Sequence, residues 1–185
     1  MKWMKFLIEY IKSPRSIGAV APSSQKLAEK MVNSVNFENS ECIVEYGAGT
    51  GVFTEKLIAR KKEDTLLIVF ENNREFYNIL LNKYKNKKKV WIINDGAENI
   101  NKYINKLGIE QVDYIVSGLP FTSLHKNISD IILNNTRDIL KSDGEFITFQ
   151  YSLVKNRLFK SYFKSIKITK IRLNLPPAYV LSCRA

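Results

Sequence analysis

The sequence predicts an α/β fold built on a mostly parallel, doubly wound sheet. Short apolar runs typical of buried strands alternate with segments whose apolar residues recur every three or four positions, as in amphipathic helices. A glycine-rich turn joins the first strand to the helix that follows it. The last two strand candidates are separated by Pro176 and Pro177, and strands joined by so short a turn must be antiparallel.

Seven strands and seven helices are predicted from these patterns. The first strand is an apolar run that ends in Glu45, and the other six are Leu66–Phe70, Val90–Asn94, Val112–Val116, Glu145–Tyr151, Ile166–Leu175 and Ala178–Cys183. The helices are Met1–Ser13, Gln25–Val32, Val52–Arg60, Asn72–Tyr84, Ile100–Leu107, Ser129–Leu140 and Leu158–Phe163. Ser23 or Ser24 is expected to cap the second helix, and Lys141–Gly144 is predicted to be a turn.

Length and composition favour one soluble domain. The chain has 185 residues, of which 45% are hydrophobic, so residues 1–185 are expected to form a single domain with an N-terminal helix at residues 1–13. No apolar run approaches the roughly 20 residues of a membrane-spanning helix. Cys42 and Cys183 lie inside predicted strands, which favours buried thiols in a reducing cytoplasm over a disulfide framework or a metal site.

The basic residues are unevenly distributed. The formal net charge is +11, and residues 146–185 contain no acid but eight basic side chains: Lys155, Arg157, Lys160, Lys164, Lys167, Lys170, Arg172 and Arg184. This distribution suits a polyanionic partner, either nucleic acid or an anionic membrane, and it equally suits a solvated surface without a partner.

The central motif is the glycine-rich turn Gly47–Gly51. Alternating glycines allow a tight turn and a close approach of the backbone to a ligand, and the next helix points its first N–H groups at the same place. Glu71 ends the second buried strand, where an acid accepts hydrogen bonds from ribose hydroxyls in nucleotide-binding α/β folds. Val52 occupies a position where the NAD motif has a small residue, which argues against a dinucleotide.

These features resemble the first motif of class I S-adenosylmethionine methyltransferases, with Glu45 as the acidic residue. The resemblance implies a Rossmann-like, seven-stranded, mostly parallel sheet with an antiparallel last strand, and S-adenosylmethionine as the cofactor. It also implies that Asp95 receives the adenine amino group and that the loop before the first strand folds over the methionine end. The expected cofactor-binding residues are Ser23, Ser24, Glu45, Gly47, Ala48, Gly49, Gly51, Glu71, Asn72, Asp95, Gly96, Ala97 and Ser117.

One of two families that share this layout is the ribosomal RNA adenine dimethyltransferases. Their motif after the fourth strand is Asn-Leu-Pro-Tyr or Asn-Leu-Pro-Phe, in which the asparagine accepts from the target amino group and the aromatic ring stacks on the flipped base. In this chain Gly118 replaces that asparagine. These RNA enzymes also carry a helical RNA-binding domain beyond the catalytic fold, and the short stretch after the last predicted strand is expected to lack it.

The chain more closely resembles the bacterial phospholipid N-methyltransferases, which convert phosphatidylethanolamine towards phosphatidylcholine. Three blocks carry this resemblance, together with the glycine motif: Ile17–Ser24, Val116–Pro120 and Leu173–Ala178. Tyr46 departs from the pattern, since a leucine or a similar apolar residue is more usual there.

The N-terminal segment is expected to contact the membrane. Apolar residues of Met1–Ser13 follow helical spacing beside a narrow basic strip, and in the phospholipid family such a helix binds the bilayer. A helix docked on the core of its own domain is the alternative. The membrane-binding residues so expected are Trp3, Lys5, Phe6, Tyr10 and Lys12.

Methyl transfer requires an aligned nucleophile and the exclusion of water. The resemblance places the acceptor at the loop after the fourth strand, so the expected catalytic residues there are Ser117, Gly118, Leu119 and Pro120. An ammonium acceptor must lose a proton before it attacks, and His125, the only histidine, is the first candidate base. Tyr10 and Tyr179 are weaker candidates, and a simple loop hydrogen bond is the alternative role for His125.

The leading hypothesis is therefore an S-adenosylmethionine-dependent N-methyltransferase. Its substrates would be phosphatidylethanolamine and the methylated derivatives of that lipid, and the protein would be cytoplasmic and peripheral on the inner face of the membrane. An RNA adenine N6-methyltransferase is the first alternative. A cofactor-binding module on the membrane surface, without turnover, is the second.

Overall fold

A computed structural model describes residues 22–153, 156–171 and 177–185, apart from the side chains of residues 22–24 and 156. The predicted N-terminal helix, with Trp3, Lys5, Phe6, Tyr10 and Lys12, lies outside the described residues. So do Lys155, Arg172, Pro176 and most of the block Leu173–Ala178.

The described chain alternates strands and helices, as the sequence predicts. The helices are α1 (Pro22–Val32), α2 (Val52–Arg60), α3 (Arg74–Tyr84), α4 (Ile100–Lys106), α5 (Lys126–Ile139) and α6 (Asn156–Lys160), with a 3₁₀ turn at Ala97–Asn99. The strands are β1 (Cys42–Tyr46), β2 (Leu66–Phe70), β3 (Val90–Ile93), β4 (Val112–Ser117), β5 (Leu140–Gln150), β6 (Ser165–Ile171) and β7 (Ala178–Arg184).

The seven strands form one sheet in the order β3-β2-β1-β4-β5-β7-β6. Strands β1 to β5 run parallel to one another. Strand β7 is antiparallel to both β5 and β6. The predicted fold class is thus confirmed, including the antiparallel final pair. Because β1 to β5 are parallel, their carboxyl ends meet at one edge, where ligands bind in open α/β sheets.

Helices cover both faces of the sheet. Side chains of α1, α2 and α3 pack on one face, in a cluster that includes Leu27, Leu57, Leu80 and Ile43 of β1. Side chains of α4, α5 and α6 pack on the other, in a cluster that includes Ile100, Leu133 and Phe159. Cys42 and Cys183 are buried free thiols, as predicted.

Two predicted helix starts are wrong. A proline sets the start of one helix, and a capping side chain sets the start of the other. Helix α1 begins at Pro22, whose fixed φ and missing N–H suit a first helical turn, so Ser23 and Ser24 lie inside the helix and not at its N-cap position. Helix α3 begins at Arg74 and not at Asn72, because the Asn73 side chain caps it by accepting from two backbone N–H groups.

Two further boundaries differ because packing overrides local pattern. Helix α5 begins at Lys126, one turn before the predicted start, and Ile128 in this added turn packs against the core. The predicted turn Lys141–Gly144 is part of strand β5, whose pairing with β4 shifts register between Val112 and Tyr114. An irregular strand of this kind keeps turn-like residues within a sheet.

Candidate active site

The glycine-rich turn lies at the carboxyl end of β1. Gly47, Gly49 and Gly51 all have positive φ, between 55° and 85°, which a residue with a side chain adopts only with strain. Gly51 precedes α2 and provides no side-chain cap. Gly51 thus provides no side-chain acceptor for the first N–H groups of α2, which suits the nucleotide-binding turn that the sequence predicts.

Glu71 ties the glycine turn to the start of α3. Its carboxylate accepts from the Gly49 N–H at 2.7 Å and from the Asn73 N–H at 2.7 Å, and the residue is buried. The Asn94 side chain donates to the Glu71 and Asn72 carbonyls, which fixes this strand end. Each carboxylate oxygen keeps further acceptor capacity, so a ribose hydroxyl fits beside the backbone donors.

Asp95 is held in place by the residues that follow it. Its Oδ1 accepts from the Gly96 N–H and from the Asn99 amide, both at 2.8 Å. Its Oδ2 accepts from the Tyr103 hydroxyl at 2.7 Å. The Tyr103 hydrogen bond is the main cause that lowers the pKa of Asp95. Asp95 therefore stays an ionised acceptor, which suits an adenine amino group.

Glu45 lies fully buried at the end of β1, just before the turn. Neither of its carboxylate oxygens has a hydrogen-bond partner within the described parts of the chain, and the buried Thr54 hydroxyl of α2 has none either. Burial raises the pKa of Glu45 to about 8, and the nearby hydroxyl and backbone N–H of Thr54 oppose that rise although they lie outside hydrogen-bond geometry. An unpartnered buried carboxylate beneath a ligand-binding turn suits a positively charged ligand.

The loop after β4 crosses the glycine turn at very short range. The Gly118 N–H donates to the Tyr46 carbonyl at 2.8 Å. A Cβ on Gly118 would lie 2.7 Å from the Gly47 carbonyl oxygen, so only glycine fits this crossing. Ser117 is buried and its hydroxyl accepts from the Leu119 N–H at 3.2 Å. The structure thus brings Ser117, Gly118 and Leu119 against the glycine-rich turn.

The remaining residues of this loop point to different environments. Phe121 is fully buried, with ring contacts to Phe146 and Phe159 at centroid distances of 6.0 and 5.4 Å. Its backbone N–H donates to the Leu119 carbonyl. His125 directly precedes α5, is exposed and makes no side-chain capping hydrogen bond. The ring after Pro120 is therefore part of the core, and the histidine lies at the surface.

Sequence reasoning missed several residues that shape the site. Asn73, Tyr103 and Thr54 contact or surround the predicted acids, and none of them belongs to a motif that the sequence analysis singled out. Phe53 approaches the Gly118 backbone, with 3.3 Å between its Cε2 and the position of a Gly118 Cβ. An aromatic residue two places after the last glycine was the available signal.

The strand order and the strand-end site together define a class I S-adenosylmethionine-dependent methyltransferase. The chain belongs to the ribosomal RNA adenine dimethylase family, whose model matches residues 22–155. S-Adenosyl-L-methionine is accordingly its cofactor, as the sequence predicts. A nucleoside fits the glycine turn, the first turn of α2 and the acids Glu71 and Asp95. The unpartnered Glu45 fits the positive charge of S-adenosyl-L-methionine.

Curated relatives include both lipid and RNA enzymes. The chain is 30% identical to an ornithine lipid N-methyltransferase from Singulisphaera acidiphila, over 97% of the chain and 94% of that protein. It is 29% identical to the ribosomal RNA small subunit methyltransferase A of Borreliella burgdorferi, over 82% of the chain. The chain spans about half (54%) of the length of that RNA enzyme.

Solved structures share the fold. A fibrillarin from Aeropyrum pernix, solved with natively bound S-adenosyl-L-methionine, matches with a TM-score of 0.66 and 16% identity. The match covers 85% of this chain and 74% of the fibrillarin. Among the helices that the structure describes, none combines the length and the hydropathy of a membrane-spanning segment.

Proposed function

We propose that the protein transfers methyl groups from S-adenosylmethionine to the primary amine of a membrane lipid, at the cytoplasmic face of the membrane. The observation that carries this proposal is the burial of Phe121 among Phe146 and Phe159. In RNA adenine dimethyltransferases the aromatic ring at this motif position stacks on the flipped base. Because the Phe121 ring is fully buried against these two core rings, it has no face on which a base could stack.

Gly118 supports the same choice of acceptor. The RNA motif has an asparagine here, whose side chain accepts from the adenine amino group. At Gly118 even a Cβ would meet the Gly47 carbonyl at 2.7 Å. The loop therefore has no room for an amide, and what remains against the glycine turn is backbone and the Leu119 side chain. An amine on a flexible head group needs less recognition than a planar base.

The extent of similarity also supports a lipid acceptor. The match to the ornithine lipid enzyme runs along nearly the whole of both chains. The sequence motifs favour phosphatidylethanolamine, and ornithine and ethanolamine head groups both contain a primary amine. A lipid-borne primary amine is the chemistry they share, and the experiment below separates the two lipids.

The chemistry required of the chain is modest. S-Adenosylmethionine supplies an electrophilic methyl group on a positively charged sulfur, and the acceptor nitrogen needs a free lone pair to take it. The loop Ser117–Pro120 would hold the acceptor in line and exclude water. We assign the removal of the ammonium proton to His125 or to water that it contacts, because His125 is exposed near the end of that loop.

Membrane contact would come from basic side chains and the N-terminal segment. Arg157, Lys160, Lys164, Lys167 and Lys170 are all exposed. Each basic residue near an anionic bilayer contributes about 1 kcal/mol to binding. The predicted helix of residues 1–13 would add an apolar face in the lipid boundary.

The test is methyl transfer from labelled cofactor to defined vesicles. Vesicles of phosphatidylethanolamine, of ornithine lipid and of phosphatidylcholine are compared, each mixed with the same anionic lipid, and the label is located by chromatography. Label in one or both amine lipids and none in phosphatidylcholine supports the proposal. Cofactor binding without label in any lipid contradicts it.

An RNA adenine methyltransferase is the second candidate, because the matching family model is that of the ribosomal RNA adenine dimethylases. It predicts label in adenine of ribosomal RNA and binding that weakens steeply with salt. Ribosomal RNA is therefore included as a separate acceptor in the same assay. Vesicle and cofactor binding without label in any acceptor would favour a module without turnover.

A further inference from the structure

Glu45 is a buried acid that methyl transfer itself does not use. We propose that Glu45 holds a proton in the cofactor-free protein and releases it when S-adenosylmethionine binds. Glu45 would thereby distinguish the cationic cofactor from the thioether product, whose sulfur is uncharged. This inference rests on the proposed cofactor-binding site at the glycine turn and not on the identity of the acceptor.

Glu45 belongs to a small group of buried polar side chains inside an apolar layer. Side chains alternate along a strand, so Glu45 faces the same layer as Ile43, towards α2 and α3. Thr54 of α2 and Tyr84 of α3 are also buried there. The hydroxyls of both, like the Glu45 carboxylate, lack a hydrogen-bond partner among the described residues. Leaving a carboxylate ionised in such a place is costly.

The charged groups around Glu45 do not offset that cost. Glu71 on β2 adds a second negative charge, which raises the pKa of Glu45 further, while Thr54 on α2 opposes the rise. The strand neighbours Val69 and Val116 carry no charge. On α3, Lys83 lies beside Tyr84 but donates to the exposed Glu55.

The free protein therefore contains a neutral Glu45 at neutral pH. Burial raises the pKa of Glu45 to about 8, so roughly nine molecules in ten carry the proton at pH 7. A positive charge nearby lowers the pKa of a carboxylate. Binding of the sulfonium then releases the proton to solvent, and binding of the thioether product leaves it in place.

Two measurable consequences follow from this linkage. The affinity for S-adenosylmethionine rises with pH up to about pH 8, by at most about tenfold per pH unit. The affinity for the thioether product, S-adenosylhomocysteine, changes less. After transfer, Glu45 takes a proton back from solvent, and the product loses the charge interaction that held the cofactor.

The test counts protons released on binding. Calorimetric titrations at pH 7, in buffers of different ionisation enthalpy, are compared for the wild type, Glu45→Gln and Glu55→Gln. Glu55 is an exposed acid of α2, so its variant is the matched control for loss of one charge. Ionisation of the ligand contributes equally to the proton release of both proteins. The difference between the wild type and Glu45→Gln therefore counts only the protons released by Glu45.

The expected result is that the wild type and Glu55→Gln release most of one proton more than Glu45→Gln does on binding S-adenosylmethionine. Glu45→Gln should also lose about tenfold of the preference for S-adenosylmethionine over S-adenosylhomocysteine, the factor that corresponds to one pKa unit. Equal proton release in the wild type and Glu45→Gln overturns the proposal. Failure of the wild type to bind either ligand contradicts the proposed cofactor-binding site instead.

Infrared spectroscopy of the wild type tests the same point if Glu45→Gln does not fold. A carboxylic-acid C=O band that persists above pH 6 without cofactor, and disappears when S-adenosylmethionine is added, supports the proposal. A cofactor-free protein whose carboxyl groups are all ionised at pH 6.5 overturns it.

Discussion

The two halves of the strand-end site are built in opposite ways. In the cofactor half, at the ends of β1 to β3, Glu71 and Asp95 are each held by at least two short hydrogen bonds. In the half proposed to hold the acceptor (the acceptor half), at the end of β4, the segment Ser117–His125 contains no acid. Its residues instead pack against the glycine turn and the aromatic core.

This difference agrees with the ligands proposed for the two halves. A nucleoside presents fixed donors and acceptors, so the cofactor half needs fixed carboxylates to match them. The acceptor half instead brings the Gly118 backbone and the Leu119 side chain into close contact with the glycine turn. Under the proposed function, this half would select the amine of a head group by shape.

The largest effect on stability is expected at Phe121, where the acceptor half joins the core. Phe121→Ala removes a fully buried ring and should lower the free energy of unfolding by about 3–5 kcal/mol, measured by urea titration. Phe121→Leu keeps most of the volume and should cost less than about 1.5 kcal/mol. Phe121→Leu should also keep its turnover per folded molecule, and a large loss of turnover would assign the ring to acceptor binding.

The next largest effect is expected in the cofactor half, at Glu71. Glu71→Ala removes the acceptor of two backbone N–H groups, and hydrogen bonds to a charged group contribute about 1.5–3 kcal/mol each. The affinity for S-adenosylmethionine should fall by about 10- to 100-fold, measured by calorimetry. Glu75→Ala changes an exposed acid of α3, the helix that follows Glu71, and should bind normally; equal losses in both variants would rule out this role for Glu71.

Glu45 should make stability depend on pH. Its pKa is raised from 4.5 to about 8 on folding, so the unfolded chain loses the proton first as pH rises. Stability should therefore fall between pH 5 and pH 8, by at most about 1.4 kcal/mol per pH unit from this residue. Below pH 4.5 Glu45 no longer makes stability depend on pH, because the folded and unfolded states both hold the proton. Thermal unfolding of Glu45→Gln should lack this part of the decline, and parallel pH curves would contradict the neutral, buried acid.

The smallest effect is expected at Tyr103, which acts through Asp95. Tyr103→Phe removes the hydroxyl that donates to Asp95 Oδ2, at a cost of about 1 kcal/mol. The affinity for S-adenosylmethionine should fall about fivefold, and the pKa of Asp95 should rise towards its usual value because its main cause of lowering is lost. Cofactor binding should then be lost at a higher pH on acidification than in the wild type. Tyr77→Phe is the control. If Tyr103→Phe loses cofactor binding at the same acidic pH as the wild type, the hydroxyl does not position Asp95.

Local patterns were sufficient to predict that the glycine turn, Glu71 and Asp95 lie at one edge of the sheet. The glycine spacing, Glu71 at a strand end and Asp95 after the next strand lie within one βαβαβ stretch, and parallel strands necessarily bring such ends together. The contacts of these acids were not predictable, because Tyr103 and the Gly49 N–H reach them only after the turns have folded. The N-cap Asn73 was overlooked for a different reason, since Asn72 is an equally plausible cap in sequence.

The acceptor half was harder to predict. The motif after β4 was found, but the burial of Phe121 depends on Phe146 of β5 and Phe159 of α6, which are distant in sequence. Likewise, the crossing of Gly118 over Gly47 depends on the pairing of β1 with β4. Such long-range packing is not visible in the spacing of a single motif.

The account is tested most directly by one competition reaction that offers both kinds of acceptor. The full-length protein is given labelled S-adenosylmethionine together with ribosomal RNA and anionic vesicles that contain phosphatidylethanolamine and ornithine lipid. The lipid and RNA fractions are then separated and counted. The account predicts that the label accumulates in an amine lipid; label confined to adenine of the RNA would contradict it.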